Sequence, residues 1–342
     1  MKKIIISMMA IAALAACTKS EIAYEQTDEI GFQVVSGKMT KAAIEGTKYP
    51  NLNMYVFAMT ATETKDANGV VSTTPYSTAN FLRNAEFKQK SESNGKKLWG
   101  GAEEAYYWPN VEKLCFAGIS KSGNVNAATG GVVPLYSNGV ITVDGYVQDP
   151  ANANNDLMWF PTTPTAYGKG TDYVHVDMLH ACSWLTIKLE GDTYTAANYK
   201  VTDINITGLA TQGKAELGTS AAWTLQNSNQ TFDVLTSSTG VSLPTAGNAT
   251  AEGFENTANN TIVIPNQVPG TLSITYKFKT QANVELSETV TGSLKFDGEN
   301  KWQPGVHYTY TVKITANEIY IQPDLSEWTP SPAEGGHGVT VQ

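Results

Sequence analysis

The sequence predicts an all-β protein, and three observations support that class. Apolar and polar residues alternate over many short runs, as at Leu272, Ile274, Tyr276 and Phe278. Turn signals rich in Gly, Asn, Asp, Pro and Thr separate these runs, and helical periodicity is almost absent. Helical turns are expected only near 101–105 and 196–199. Short alternating strands joined by regular turns are typical of β-sandwiches.

The N-terminus reads as an export signal, with residues 1–16 as signal peptide and 17–29 as a polar tether. Lys2 and Lys3 precede an apolar run of about a dozen residues, too short to span ~30 Å of hydrocarbon. The run ends in Leu-Ala-Ala-Cys17, the lipobox pattern of bacterial lipoproteins. We expect Cys17 to be acylated and to anchor the exported protein in a membrane. An ordinary secretory signal with a chance cysteine is the alternative.

The next stretch, residues 30–41, begins as a strand and ends beside a basic residue. Ile30, Phe32 and Val34 share one face of that strand. It is followed by small residues around Lys41 and Ala42, where a trypsin-like protease has no proline or acidic neighbour to hinder it. Two interpretations remain open at this point. Residues 30–41 are either the first strand and loop of a β domain, or a strand that proteolysis removes.

Two sandwich domains are expected, at 30–180 and 181–342. The 326 residues that follow the signal peptide (342 − 16) are enough for two domains. The apolar alternation changes phase near His180, from even-numbered to odd-numbered positions, which moves the apolar set to the other face. A bulge explains this change, and so does a strand that leaves one sandwich and enters another. We place the domain boundary there.

The C-terminal extension, 319–342, is the second candidate functional segment. It starts strand-like and then becomes rich in proline and glycine, which argues against a central strand. It is either a frayed tail or an extended segment that docks elsewhere. Its candidate docking residues are Ile319, Ile321, Leu325, Trp328, Val339 and Val341.

Composition argues against several other functions. The formal charge of −9 becomes −11 once Lys2 and Lys3 are removed (−9 − 2), which disfavours nucleic acid as a partner. We expect no metal site, because His175 and His180 lie on opposite faces of a strand without a cysteine or acidic cluster. Catalytic motifs are not found, so we predict neither an enzyme nor a cofactor. Cys115 and Cys182 lie in apolar runs, where free buried thiols are favoured over a disulfide.

An ordered set of short motifs resembles the fimbrillin family, the FimA-like pilins of type V pili from Gram-negative anaerobes. The set covers essentially the whole chain. In order, it comprises Cys17, the G-F-Q-V-V strand before Thr40-Lys41-Ala42, Y-W-P ending at Pro109, L-C-F-A ending at Ala117, Asp156-Leu-Met, H-A-C-S-W-L-T-I-K-L ending at Leu189, G-x-x-Y-T-Y-T-V ending at Val312, and I-x-P-x-L-x-x-W ending at Trp328.

The resemblance implies two tandem transthyretin-like, Greek-key sandwiches and a structural pilin that supports adhesion. It implies export as an outer-membrane lipoprotein, then cleavage after the first strand, at Lys41 and Ala42, by a trypsin-like protease. Ile30, Phe32 and Val34 would leave a groove for a strand of another pilin subunit, by donor-strand exchange at the cell surface. Lys41 stands where the family has arginine, so an arginine-specific protease would not cut here.

Two other functions stay open. One is a non-polymerising anchor or tip subunit of the fimbria. The other is a surface glycan-binding lipoprotein, which requires exposed, coplanar Trp or Tyr rings.

Overall fold

The protein is almost entirely β-structure, as the alternating sequence predicts. The computed structural model describes residues 28–34, 53–93, 96–126, 131–148, 156–243, 260–279, 282–294, 301–315 and 319–327. The first eleven strands are β1 (Phe32–Val34), β2 (Met54–Lys65), β3 (Val71–Pro75), β4 (Leu82–Ser93), β5 (Lys96–Gly101), β6 (Lys113–Ser120), β7 (Leu135–Ser137), β8 (Val140–Val147), β9 (Met158–Phe160), β10 (Val174–Val176) and β11 (Leu179–His180). The remaining strands are β12 (Ser183–Gly191), β13 (Tyr199–Leu209), β14 (Gln212–Leu217), β15 (Ala221–Gln226), β16 (Gln230–Ser242), β17 (Asn260–Val263), β18 (Thr271–Lys279), β19 (Glu285–Ser293), β20 (Val306–Ile314) and β21 (Ile319–Glu327).

The described residues include one short helix, α1 (Thr193–Asn198), near the expected position 196–199. It begins at Asp192, whose carboxylate accepts a hydrogen bond from the Thr195 backbone N–H at 2.7 Å. The turn near 101–105 is not helical, because Gly101 still belongs to the β5 ladder.

The strands form four sheets. The largest has nine strands in the order β10-β1-β5-β4-β2-β6-β9-β11, with β3 paired to the outer part of β2. The three others have four strands each, in the orders β15-β14-β8-β7, β17-β12-β20-β21 and β16-β13-β18-β19. All-β structure with packed sheets confirms the predicted fold class.

Three apolar clusters hold these sheets together. Even-numbered residues of β2, such as Val56, face a cluster built within the nine-stranded sheet alone. Odd-numbered residues, such as Phe57, face a cluster shared with the β7, β8, β14 and β15 sheet. The last two sheets enclose a third cluster, which includes Leu185 and Trp302. Residues Met54–Met59 of β2 and nearly all of β6 are thus buried on both faces, which explains the continuous apolar sequence of these segments.

The position of the proposed domain boundary coincides with a change of sheet. β11 ends at His180 in the nine-stranded sheet, and β12 begins at Ser183 in another sheet. However, the β14–β15 hairpin comes after this point and pairs with β8. Trp223 of that hairpin donates its indole N–H to the Ala181 carbonyl at 2.7 Å. The division at residue 180 stays a prediction, with this hairpin crossing it.

Candidate functional site

The first strand lies inside a sheet and not at its edge. β1 pairs in antiparallel fashion with β5, where Phe32 is opposite Trp99. On its other side it runs parallel to β10, where Phe32 is opposite Val174 and Gln33 is opposite His175. Among the described strands, β10 has β1 as its only partner. Removing β1 would therefore leave the hydrogen-bonding edges of both β5 and β10 without their ladder.

Backbone hydrogen bonds continue on the N-terminal side of β1. The Ile30 N–H donates to the Tyr106 carbonyl at 2.6 Å, and the Trp108 N–H donates to the Asp28 carbonyl at 2.8 Å. Lys169 Nζ also lies 2.9 Å from Asp28 Oδ2, in an exposed ion pair that contributes little. These bonds use main-chain atoms, so another extended segment would make them equally well. The sequence alone gave no sign of the contact with residues 106–108.

Phe32 occupies the centre of the core of the nine-stranded sheet. Its ring is fully buried and meets the rings of Phe87 and Phe116 edge-on, at centroid distances of 5.0 and 5.2 Å. The Phe160 ring lies 6.0 Å away. Phe160 is on β9, and four strands separate β9 from β1 in the sheet. The sheet therefore curls around Phe32, whose ring fills the space that the curl encloses.

The three predicted apolar positions of the first strand point into this core. Ile30 and Phe32 are fully buried, and Val34 is 3% exposed. Burying a side chain of this kind stabilises by about 1.5–3 kcal/mol, so the three together contribute roughly 5–9 kcal/mol. A chain that lost them would expose an apolar slot flanked by two free strand edges. Such a slot suits the addition of another strand.

Gly31 lies on the opposite face of the same strand, beneath an aromatic ring. A methyl group at this position would come within 2.9 Å of Tyr173 Cδ1, closer than carbon atoms approach without displacement. The Gly31 carbonyl also accepts a hydrogen bond from the Val174 N–H at 2.9 Å. The slot therefore has three features in sequence order: a glycine under Tyr173, an apolar residue in the aromatic core, and a second apolar residue two positions later.

The second candidate segment is only partly described. Its first nine residues form β21, which is an edge strand paired antiparallel with β20. Ile319 and Leu325 lie in that strand, opposite Ile314 and Tyr308, and Ile321 packs against the third cluster. Trp328, Val339 and Val341 lie outside the described residues, and so do Cys17, Lys41 and Ala42.

Two histidines outside the β1 region, His180 and His307, are largely buried and contact neighbouring side chains. His180 is nearly buried, with Nδ1 2.6 Å from Asp156 Oδ2. Burial lowers the pKa of His307 to about 3, with the charge of Lys188 as a smaller cause. Its ring stacks on Trp184 at a centroid distance of 3.4 Å. In the described part of the chain, no three His, Cys, Asp or Glu side chains lie together as a metal site would require.

The two cysteines of the described ranges do not form a disulfide. Cys115 and Cys182 are both free and buried, and burial raises the pKa of each thiol. This confirms the preference for free thiols over a disulfide. Within the described ranges, no helix has the length and apolar character needed to cross a membrane.

Solved structures resemble this fold at low sequence identity. A protein from Bacteroides uniformis ATCC 8492, described as a candidate cell adhesion protein, aligns with a TM-score of 0.55 and 15% identity, covering 88% of this chain and 100% of that one. A fimbrial protein from Bacteroides vulgatus ATCC 8482 aligns with a TM-score of 0.53 and 17% identity, covering 88% and 99%. No curated protein matches the sequence significantly.

A family model gives the assignment that the low structural identities do not. The model described as fimbrillin-like matches residues 18–328, which is most of the chain. The match includes the first strand, both candidate edges of the slot and β21. The chain belongs to the fimbrillin-like family.

Proposed function

We propose that this protein is a structural pilin subunit that polymerises by donor-strand exchange and supports adhesion. One observation carries the proposal: β1 is an interior strand whose apolar residues fill the core of a curled sheet. Lys41 follows the last residue of β1 by seven positions (41 − 34), so cleavage there would separate the strand from the rest of the chain. Family membership supports a fimbrial role.

The order of events follows from the physical chemistry of the slot. The protein is exported as a lipoprotein, with acyl chains on Cys17 holding it at the outer membrane. While β1 is present, both slot edges are paired, and the protein cannot add a strand from elsewhere. A trypsin-like protease cuts after Lys41, and β1 leaves with the lipid. A strand from another subunit, taken from its segment 319–342, then fills the slot and forms the next link of the fimbria.

The first test is the intact mass and N-terminal sequence of the surface-exposed protein. A start at Ala42 without lipid, together with oligomers that resist SDS, is the expected result. An acylated Cys17 on the majority species would instead mark an anchor subunit that keeps its first strand. Monomers alone after complete cleavage would refute polymerisation.

A pair of variants assigns the cleavage position. Lys41→Ala should block processing and leave the protein lipidated and monomeric, while Lys41→Arg should still be cut by a trypsin-like enzyme. Lys48→Ala is the matched control, since it removes a nearby lysine and should change nothing. If Lys48→Ala blocks processing and Lys41→Ala does not, the proposed site is wrong.

The glycan-binding alternative finds no support among the tryptophans, although Tyr76, Tyr107 and Tyr194 are exposed. The six tryptophans in the described ranges are all buried, so none offers a ring face to a sugar: Trp99, Trp108, Trp159, Trp184, Trp223 and Trp302. We therefore retain the pilin function as the conclusion.

A further inference from the structure

The slot that holds β1 sets a pattern that an incoming strand has to match. At the position of Gly31 it favours glycine, because a larger side chain would have to displace the Tyr173 ring. The next position takes a large apolar residue among Phe87, Phe116 and Phe160, the third a residue that can replace the nearly buried Gln33, and the fourth an apolar residue. In β1 and the residue before it, Gly31-Phe32-Gln33-Val34 meets this pattern.

The same pattern occurs once in the C-terminal extension. Gly338-Val339-Thr340-Val341 repeats glycine, apolar, polar and apolar in the same order. The other two glycines of that segment, Gly335 and Gly336, are followed by Gly and His, so neither places an apolar residue in the aromatic core. Ile319 and Ile321 are less suitable, because β21 already pairs with β20 along its whole length.

We infer that residues 337–341 of a second copy of this chain occupy the slot of residues 30–34, with Gly338 beneath Tyr173 and Val339 in the place of Phe32. The inference rests on the proposed donor-strand exchange and adds its register and direction. Thr340 then lies opposite His175 and Leu98, as Gln33 does in the uncleaved chain. The donor runs parallel to β10 and antiparallel to β5, like the strand it replaces.

The physical reason for a single register is steric. Shifting a strand by one residue moves every side chain to the opposite face. Here a shift by one would put Val339 or His337 beneath the Tyr173 ring, where even a methyl group lies within 2.9 Å of a ring carbon. A shift by two that brings Gly336 under Tyr173 would place His337 among three aromatic rings. Gly338 is thus the residue that selects the register.

Two positions differ from the original strand and have measurable consequences. Val339 is smaller than Phe32, so it leaves part of the aromatic core unfilled, and Val339→Phe should slow subunit dissociation at least tenfold. His337 takes the fully buried place of Ile30, where a polar ring loses water contacts, so His337→Ile should act in the same direction.

Disulfide trapping between two singly substituted chains tests the register. Thr340→Cys chains and His175→Cys chains are mixed, cleaved after Lys41 and oxidised. His175 is exposed, so the substitution leaves the core intact. Paired residues on neighbouring strands have Cα atoms within the ~4.4–6.8 Å that a disulfide spans. The native Cys115 and Cys182 are buried and do not compete.

A linked dimer from this pair, and none when Val339→Cys replaces Thr340→Cys, is the expected result. Gly338→Ala should reduce polymer yield at least tenfold, and Tyr173→Ala in the receiving chain should restore it. Polymers that form without the Thr340–His175 link, or that tolerate Gly338→Ala unchanged, would overturn the register but leave donor-strand exchange standing. Failure of cleaved wild-type protein to polymerise would overturn both.

Discussion

Replacing Phe32 by alanine tests whether the buried Phe32 ring holds β1 in the curled sheet. The substitution removes a fully buried ring that contacts Phe87 and Phe116 edge-on at 5.0 and 5.2 Å. The substitution leaves the main-chain ladder of β1 unchanged. Any effect therefore comes from the loss of side-chain packing.

The size of the effect follows from the burial of the ring. A Phe→Ala change in a packed core costs about 3–5 kcal/mol, which includes the transfer of the ring and the cavity left behind. Because β1 has only three residues in its ladder, local release of the strand is a cheaper response than unfolding the whole chain. At 1.4 kcal/mol per tenfold change, the release equilibrium should rise between about a hundredfold and several thousandfold.

Hydrogen exchange of the uncleaved protein measures this release directly. The Val174 N–H, which donates to the Gly31 carbonyl, and the Ile30 N–H should both exchange faster by that factor. Phe232→Ala is the matched control, because it removes an equally buried ring from the third cluster. It should lower global stability without preferentially exposing the Val174 amide.

An unchanged exchange rate of the Val174 N–H in Phe32→Ala would refute the reasoning, because the Phe32 ring would then contribute nothing to holding β1 in the sheet. Faster exchange throughout the chain in both variants would also refute it, because the strand would not be a separate unit. After cleavage, a Phe32→Ala protein should be indistinguishable from the wild type, since the changed residue has left.

Two further predictions concern packing at Gly118, in the nine-stranded sheet, and at His307, in the sheet of β12 and β20. Gly118→Ala should lower the free energy of unfolding in urea by about 1–3 kcal/mol, because the new methyl group would overlap the Phe160 ring. In the control Gly168→Ala the new methyl group has no neighbour closer than 3.5 Å, so the loss should be under about 1 kcal/mol. Equal losses in the two variants would contradict the packing argument. Burial lowers the pKa of His307 to about 3 in the folded protein, so between about pH 6.5 and 3 the unfolded chain binds a proton there that the folded chain does not. The contribution of His307 to stability is therefore full above about pH 6.5 and is lost as the pH drops towards 3. His307→Phe should make the free energy of unfolding fall less steeply with pH than in the wild type, and parallel pH curves for the two proteins would contradict this prediction.

Local pattern was enough to predict the first strand and which of its faces is buried. Ile30, Phe32 and Val34 alternate in the sequence, and the structure buries all three. Alternation works because side chains of a strand point to opposite faces with a period of two, a property of the backbone itself. The free, buried state of Cys115 and Cys182 followed in the same way from their apolar runs.

The neighbours of each strand were beyond the reach of the sequence. That β1 lies between β5 and β10, residues about 65 and 140 positions away, depends on long-range pairing that no local pattern encodes. The contact of Gly31 with Tyr173 is of the same kind. The sequence does contain a signal for a close contact at Gly31, because glycine is unusual within a strand and often marks a close approach. That signal does not identify Tyr173 as the residue in contact.

The sequence by itself determined an all-β chain with a short apolar strand ahead of a basic residue, because composition and alternation act through local geometry. Only the tertiary structure decided that this strand is interior, that the sheet curls around Phe32, and that the Tyr173 ring lies within 2.9 Å of a methyl group placed at Gly31. Those facts depend on which distant segments meet. They place the apolar strand between two distant strands and against the Tyr173 ring.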